Sequence, residues 1–173
     1  MKNLITLLML ICITLAANAQ AYVGGTVGIA VNNINSDGYS ETVSAFSVSP
    51  EAGYYFNKTW AVGASVGVKY QDYSDLGGVT TISVLPYVRA TFARASVFDF
   101  FGELALGYAN ESSDGENYGG FVAGIRPGFA AHLSDRFSLI GRTTLLSYSH
   151  YDGVNGFGFG LNSNFELGIQ VTF

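Results

Sequence analysis

The sequence has one cysteine, three prolines and few charged residues, which make up 12% of its 173 positions. The cysteine, Cys12, lies in the N-terminal apolar segment, so the rest of the chain has no disulfide and no cysteine nucleophile. The longest apolar run, Leu4–Leu15, is shorter than the roughly 20 residues that a membrane-spanning helix needs. These shortages exclude a disulfide-stapled fold, thiol chemistry and a helical membrane protein.

The N-terminus has the three parts of a secretory signal peptide. Lys2 supplies the charged start, the apolar run follows, and Ala17-Asn18-Ala19 has the small residues of a cleavage site. We expect residues 1–19 to be a cleaved signal peptide and residues 20–173 to form one domain. An uncleaved N-terminal anchor is the alternative.

Glycine and aromatic residues are abundant, with 22 glycines and 14% aromatics. Large apolar residues alternate with small or polar ones along eight segments, which is the period of a strand with one apolar face. The predicted strands are Ala21–Asn32, Val43–Phe56, Trp60–Gln71, Thr80–Phe92, Phe98–Asn110, Gly119–Leu133, Phe137–Ser149 and Phe157–Phe173. The last of these is the most regular, interrupted only by Ser163, and it runs to an aromatic final residue.

The predicted connections alternate in length. Short turns beginning at Asn57, Ala93 and Ser134 follow strands two, four and six. Longer loops follow the others, and they hold Asp37-Gly38, Gly77-Gly78, Asp114-Gly115 and Asp152-Gly153. This layout is typical of an all-β, eight-stranded, antiparallel up-and-down transmembrane barrel with its short turns in the periplasm.

The two faces of the predicted strands differ in charge. The outer rows are apolar and uncharged, and they end in aromatic residues such as Trp60 and Tyr70, as the girdles of a membrane barrel do. The inner rows are small residues plus one charge on each of seven strands: Glu51, Lys69, Arg89, Glu103, Arg126, Arg142 and Glu166. Because isolated charges are costly in a narrow interior, we predict a connected ion network. A soluble lipocalin-like barrel, with the faces exchanged, is the alternative fold.

Two further features follow from the same pattern. Pro50, Pro86 and Pro127 each lie seven residues before a short turn, and we expect a local bulge at each because proline cannot donate to the ladder. The long connections hold only acidic charges: Asp37, Glu41, Asp72, Asp75, Glu111, Asp114, Glu116 and Asp152. An acidic rim argues against nucleic acid as a partner and allows weak binding of divalent cations.

Several stretches resemble a known family. They are Pro50-x-x-Gly53-Tyr54-Tyr55-Phe56, Phe101-Gly102-Glu103, Gly124-Ile125-Arg126-Pro127-Gly128 and the terminal alternation of Phe165, Leu167, Ile169, Val171 and Phe173. Together with the signal peptide they are similar to the small eight-stranded OmpA/OmpX-like, porin-like barrels of the Gram-negative outer membrane. The resemblance implies a monomer among outer-membrane lipids. It also implies that the five terminal residues are the signal read by the barrel-assembly machinery.

Three functions are compatible with this resemblance. The first is a structural or cell-surface interaction role, with a lumen filled by side chains and a possible extracellular partner at the acidic loops. The second is a narrow porin-like channel for small solutes. The third is an enzyme of the outer leaflet, since lipid A deacylases place a Ser/His pair near the end of the penultimate strand, where Ser147, Ser149 and His150 lie here. Those enzymes carry His-x-Ser at this place, whereas this chain reads Ser149-His150-Tyr151. We therefore expect no catalytic residue, metal or cofactor.

Overall fold

The computed structural model describes residues 20–36, 39–73, 77–113, 116–151, 153–160 and 165–173. These residues form ten β-strands and no helix: β1 (Gln20–Ser36), β2 (Tyr39–Tyr55), β3 (Trp60–Tyr73), β4 (Gly77–Ala95), β5 (Phe98–Ser113), β6 (Glu116–His132), β7 (Phe137–Thr143), β8 (Leu146–Tyr151), β9 (Val154–Phe159) and β10 (Phe165–Thr172). Within these ranges no apolar helix of membrane-spanning length occurs. The expected signal peptide, residues 1–19, lies outside them and stays a prediction.

The ten strands make a closed barrel of eight. β7 and β8 are the two halves of the seventh barrel strand, because both pair with β6. β9 and β10 are the two halves of the eighth, and β10 pairs with β1 to close the sheet. Every pairing between neighbours is antiparallel, which confirms the predicted up-and-down barrel.

At one end of the barrel, here called the turn end, the connections are short as predicted. The Asn57 side-chain oxygen accepts hydrogen bonds from the backbone N–H groups of Thr59 (2.8 Å) and Trp60 (2.9 Å). Ser134 Oγ accepts one in the same way from the Phe137 N–H, at 3.2 Å. Each side chain satisfies donors that the tight turn removes from the ladder.

At the opposite end, here called the loop end, the prediction of long loops is wrong. β1 and β2 stay paired up to Ser36 and Tyr39, and β5 and β6 stay paired up to Ser113 and Glu116. Most of the predicted loop residues are therefore strand. Beyond the membrane a strand needs no apolar face, so its polar sequence loses the alternation by which strands are recognised.

The three prolines interrupt the ladder in two ways. At Pro50, two residue pairs are missing between β2 and β3, and at Pro86 two are missing between β4 and β5. In both places the strands resume the same register after the gap. The predicted bulges are thus wrong at these two positions, because a short gap suffices where one N–H is absent. Opposite Pro127 the seventh strand gains one residue, so the bulge predicted there is confirmed.

That bulge explains the mixed faces of the seventh strand. Its residues 144 and 145 separate β7, where Arg142 faces the lumen, from β8, where Tyr148 faces outward. One extra residue reverses the parity of everything beyond it. The predictions that Arg142 faces the lumen and that Tyr148 faces outward are therefore both right, although one unbroken alternation would put the two residues on the same face.

The predicted continuous last strand is wrong in one respect. β9 ends at Phe159 and β10 begins at Phe165, with five residues between them against two between β7 and β8 on the neighbouring strand. Three extra residues cannot be accommodated in a continuous ladder, so the strand divides. Ser163, the one interruption in the sequence pattern, lies outside the described residues.

The apolar face of the barrel points outward. Large apolar side chains such as Phe46, Val66, Leu104 and Ile169 are about half exposed, whereas the charged side chains of the interior are buried. A soluble barrel would have the opposite arrangement. The lipocalin-like alternative is therefore excluded.

Candidate functional site

Six of the seven predicted lumen charges meet in one buried cluster, which we call the ion network: Glu51, Arg89, Glu103, Arg126, Arg142 and Glu166. The strand register brings them together. Glu103 is directly opposite Arg89 on one side and Arg126 on the other, and Arg142 is directly opposite Glu166. Three cations and three anions leave the network with no net charge.

Glu103 is one centre of the network, because it contacts all three arginines. Its Oε1 accepts a hydrogen bond from Arg89 Nε at 2.8 Å. Its Oε2 lies 2.9 Å from Arg126 Nη2 and 3.6 Å from Arg142 Nη1. The Glu103 side chain is fully buried, so the arginines replace the water that it lost on folding.

Arg142 is the other centre, because it contacts all three glutamates. Besides Glu103 it pairs with Glu51 through Nη1 and with Glu166 through Nε, the latter at 2.7 Å. Its Nη2 donates to Thr26 Oγ1 at 2.9 Å, and that hydroxyl donates to Glu166 at 2.8 Å. Every nitrogen of this guanidinium therefore has a partner.

Arg89 is held by neutral groups that the sequence analysis did not single out. Its Nη1 donates to Gln170 Oε1 at 2.7 Å and to the Tyr55 hydroxyl at 3.1 Å. Its guanidinium carbon lies 4.4 Å from the centre of the Phe101 ring, a cation–π contact. The alternation places these residues on the inner face, but nothing in it shows which neutral side chains complete a charged cluster.

Arg126 is the member of the ion network with the fewest hydrogen-bond partners. Its Nε and Nη2 are buried and have no hydrogen-bond partner of good geometry among the described residues, although Nη2 is close to Glu103. Its other contact of note is a cation–π contact with Tyr87, at 5.3 Å. Arg126 therefore depends on one carboxylate, whereas Arg142 uses three.

Lys69 was predicted to join the network and does not. Its side chain lies on the lumen face, but no ion pair links it to a carboxylate of the described residues. On β3 it lies several residues beyond Ser65, the residue opposite Glu51, so it lies closer to the loop end than the cluster does. Parity predicted its face correctly but could not predict its height relative to the other strands.

Ser147, Ser149 and His150 do not form a catalytic group. The two serines are opposite Gly124 and Val122 on the lumen side, whereas His150 is opposite Phe121 on the outer face. The His150 Nδ1 is hydrogen-bonded to the Asn155 side chain at 2.8 Å. A nucleophile and a base need to share a hydrogen bond, and this histidine points away from both serines.

A second polar cluster lies at the turn end of the lumen. His132 Nδ1 is 2.9 Å from Ser138 Oγ, and His132 Nε2 is 3.3 Å from Asp99 Oδ2. Arg94 Nε also donates to Asp99 Oδ2, at 3.2 Å. These residues line a cavity of about 530 Å³. The described residues contain no cluster of three or more potential metal ligands.

The closed antiparallel sheet, with its apolar outer face and its charged interior, defines a small β-barrel of the outer-membrane type. The chain matches the family described as "Outer membrane protein beta-barrel domain" over residues 4–169, and it belongs to that family. Its place is therefore the bacterial outer membrane. No curated protein sequence matches it.

Solved structures of small barrels resemble it. Neisserial surface protein A (NspA) is 18% identical, with a TM-score of 0.56, over 88% of this chain and 97% of that one. Ail, the attachment invasion locus protein of Yersinia pestis, is 20% identical, with a TM-score of 0.48, over 90% of this chain and 97% of that one. At these identities the likeness shows the fold alone.

The predicted assembly signal lies on the outer face of β10 and at its end. Phe165, Leu167, Ile169 and Phe173 are all exposed to the surroundings of the barrel, and alternate residues of β10 point inward. The inward residues of β10, such as Glu166, face the lumen. The strand thus presents an aromatic and aliphatic row to the membrane at the seam where the barrel closes.

Proposed function

We propose that this protein is a closed, non-conducting barrel with a structural or cell-surface interaction role in the outer membrane. The observation that carries the proposal is the ion network, which crosses the lumen with side chains of about 1% exposure at Arg89, Arg142 and Glu51. The interior of an eight-stranded barrel is just wide enough for side chains to fill. A neutral, mutually paired cluster has no free charge to attract a passing ion.

The hairpins at the loop end support a surface role. They continue as paired strands beyond the aromatic residues Tyr70 and Tyr108, and they carry Asp72, Glu111 and Glu116. In barrels of this class the long connections face outward from the cell. Acidic hairpins held rigidly by their ladders are suited to an extracellular partner with cationic groups. The name of NspA describes it, too, as a surface protein.

The remaining partners follow from the membrane position. Outer-membrane lipids surround the apolar face, and the barrel-assembly machinery reads the terminal row of β10 during insertion. The monomer needs no second copy, because β1 and β10 close the sheet within one chain. The acidic rim disfavours nucleic acid.

A narrow channel is the second candidate. Small residues, among them Gly67, Ser83, Ser147 and Gly158, occupy lumen-facing positions towards the loop end. The conducting path would then have to pass the ion network, and Arg126 is the member with the fewest contacts.

Conductance of refolded protein in a planar bilayer tests the proposal. We expect no steady current from the wild type and small, flickering currents from Arg126→Ala, because the shortened side chain leaves a gap in the network. Arg136→Ala, which removes an exposed cation of a turn, is the matched control and is expected to stay silent. Steady wild-type conductance would replace the closed barrel with the channel.

A further inference from the structure

The cluster at the turn end of the lumen contains a serine, an imidazole and a carboxylate joined in that order. Ser138 Oγ contacts His132 Nδ1 at 2.9 Å, and His132 Nε2 contacts Asp99 at 3.3 Å. From this geometry and its cavity we propose that Ser138 is the nucleophile of a hydrolytic site for carboxylic esters. The activity goes beyond the structural role, since none of these residues belongs to the ion network.

The hydrogen-bond chain assigns a role to each nitrogen of His132. The Asp99 carboxylate can only accept, so in the neutral ring the proton lies on Nε2, which faces Asp99 Oδ2. The lone pair of Nδ1 is then free to accept the Ser138 hydroxyl proton, which is the requirement for a general base. The ring is turned relative to serine proteases, in which Nδ1 faces the carboxylate, but the order of the three groups is the same.

The backbone fixes this arrangement. Ser138 on β7 is directly opposite His132 on β6, and the two flank the same short turn. The His132 N–H donates to the Val97 carbonyl at 2.8 Å, which ties it to the turn that leads into Asp99. Arg94 Nε donates to the same carboxylate oxygen, Oδ2, that His132 contacts. The three groups thus lie on three adjacent strands, β5, β6 and β7.

The cavity supplies room for a substrate. Its volume of about 530 Å³ is within the range of small-molecule sites, and Lys58, Arg94 and Gln170 line it beside the three residues of the chain. Ser138 is only 4% exposed, so an ester must enter the cavity to reach it. The two cations of the lining are balanced by the carboxylates of Asp99 and Asp135, so the cavity favours an ester without net charge.

Gln170 is placed to stabilise an oxyanion. It is directly opposite Ser138 in the pairing of β10 with β7, which brings the two side chains to neighbouring positions on the lumen face. Its amide nitrogen donates one hydrogen to the Tyr55 hydroxyl at 3.2 Å and has a second hydrogen to offer. A donor beside the nucleophile is what the tetrahedral intermediate of acyl transfer needs.

The reaction is ordinary ester hydrolysis. Ser138 Oγ attacks the acyl carbon as its proton passes to His132 Nδ1; the bond from carbon to the alcohol oxygen breaks, and the alcohol leaves with that proton. Water then attacks the acyl-Ser138 ester, gives a proton to His132, and releases the carboxylic acid as the proton returns to Ser138. One ester and one water yield one acid and one alcohol.

A fluorophosphonate probe tests the nucleophile on the refolded, full-length barrel in detergent. We expect one adduct, located by peptide mass at Ser138 and absent from Ser138→Ala and from heat-unfolded protein. His132→Gln should slow labelling by about 100-fold, the low end of general-base effects. Ser147→Ala, a lumen serine far from the cluster, should label as the wild type does. Absence of labelling, or equal labelling of other serines, would overturn the proposal.

Asp99 acts through His132 and is a positioning residue. Its test therefore compares the rates of two variants, Asp99→Asn and Asp99→Glu. We expect Asp99→Asn to slow both labelling and hydrolysis of a short-chain nitrophenyl ester, because the amide no longer fixes the proton on Nε2. Asp99→Glu should restore part of the rate. Unchanged rates in Asp99→Asn would reduce the cluster to a surface ion pair with Arg94 and refute the relay.

Discussion

At the scale of single residues, the ion network is unequal. Glu103 and Arg142 each contact every member of opposite charge, whereas Arg126 contacts one carboxylate and leaves two buried donors without good hydrogen bonds. A buried donor without a hydrogen-bond partner lowers the free energy of unfolding, and removing that donor removes the penalty. Equal-looking charges in the sequence therefore make unequal contributions to stability.

Replacement of two arginines by methionine should reveal this inequality. Arg89→Met leaves Glu103 Oε1 without its hydrogen bond and removes one contact each from Glu51, Gln170 and Tyr55, and we expect a loss of about 3–5 kcal/mol in the free energy of unfolding. Arg126→Met takes the nearest cation from Glu103 Oε2 but also removes two buried donors without good hydrogen bonds, so we expect a smaller loss, of about 1–2 kcal/mol. Urea unfolding of the two variants in lipid vesicles measures the difference. Equal losses would contradict the ranking of contacts.

At the scale of strands, the closing strand β10 has no room for a side chain where Gly168 lies against β1. A Cβ added at Gly168 would lie 1.9 Å from the Gly25 carbonyl oxygen, a backbone atom that cannot move without distorting the ladder. Gly102, on the outer face of β5, has nothing within 4 Å of the same added atom. The two glycines are thus alike in the sequence and different in their surroundings.

We expect Gly168→Ala to destabilise the barrel by about 1–3 kcal/mol, the usual cost of overpacking. Gly102→Ala is the matched control and should leave stability unchanged or raise it by about 0.5 kcal/mol, since alanine loses less backbone freedom in a strand. The temperature at which the folded form loses its faster gel mobility reports both. A stable Gly168→Ala barrel would show that the close approach of β1 and β10 is not required.

The strands also show what the sequence could and could not predict. The alternation predicted the eight barrel strands, their faces and six members of the ion network, because a period of two reports side-chain direction directly. The bulge at Pro127 was predicted from the proline rather than from the alternation, and neither signal predicts the division after Phe159, because that division depends on the length of the neighbouring strand. The contacts of His132 with Asp99 and Ser138 were missed because the alternation gives the face of each residue but not which residues of neighbouring strands lie at the same height.

At the scale of the whole molecule, charge differs between the two ends. The turn end carries charges of both signs, Lys58, Arg94, Asp99, Asp135 and Arg136, whereas the described residues of the loop end carry Asp72, Glu111 and Glu116 beyond the aromatic girdle. Between the ends, the interior charges cancel within the ion network. The barrel therefore has an acidic end and a mixed end, separated by a neutral plug, and its orientation decides which of these a partner meets.

An epitope inserted at each end determines that orientation. With the short turns in the periplasm, as in other bacterial barrels, a tag between Asp114 and Gly115 should bind antibody on intact cells. The matched tag beside Asp135, in the turn between β6 and β7, should bind only after the outer membrane is permeabilised. Both connections lie next to β6, so the two insertions affect the same strand and differ only in the end that they mark. Labelling of the Asp135 tag alone on intact cells would invert the barrel. The acidic hairpins would then face the periplasm, and the cavity of Ser138 would open to the outside of the cell.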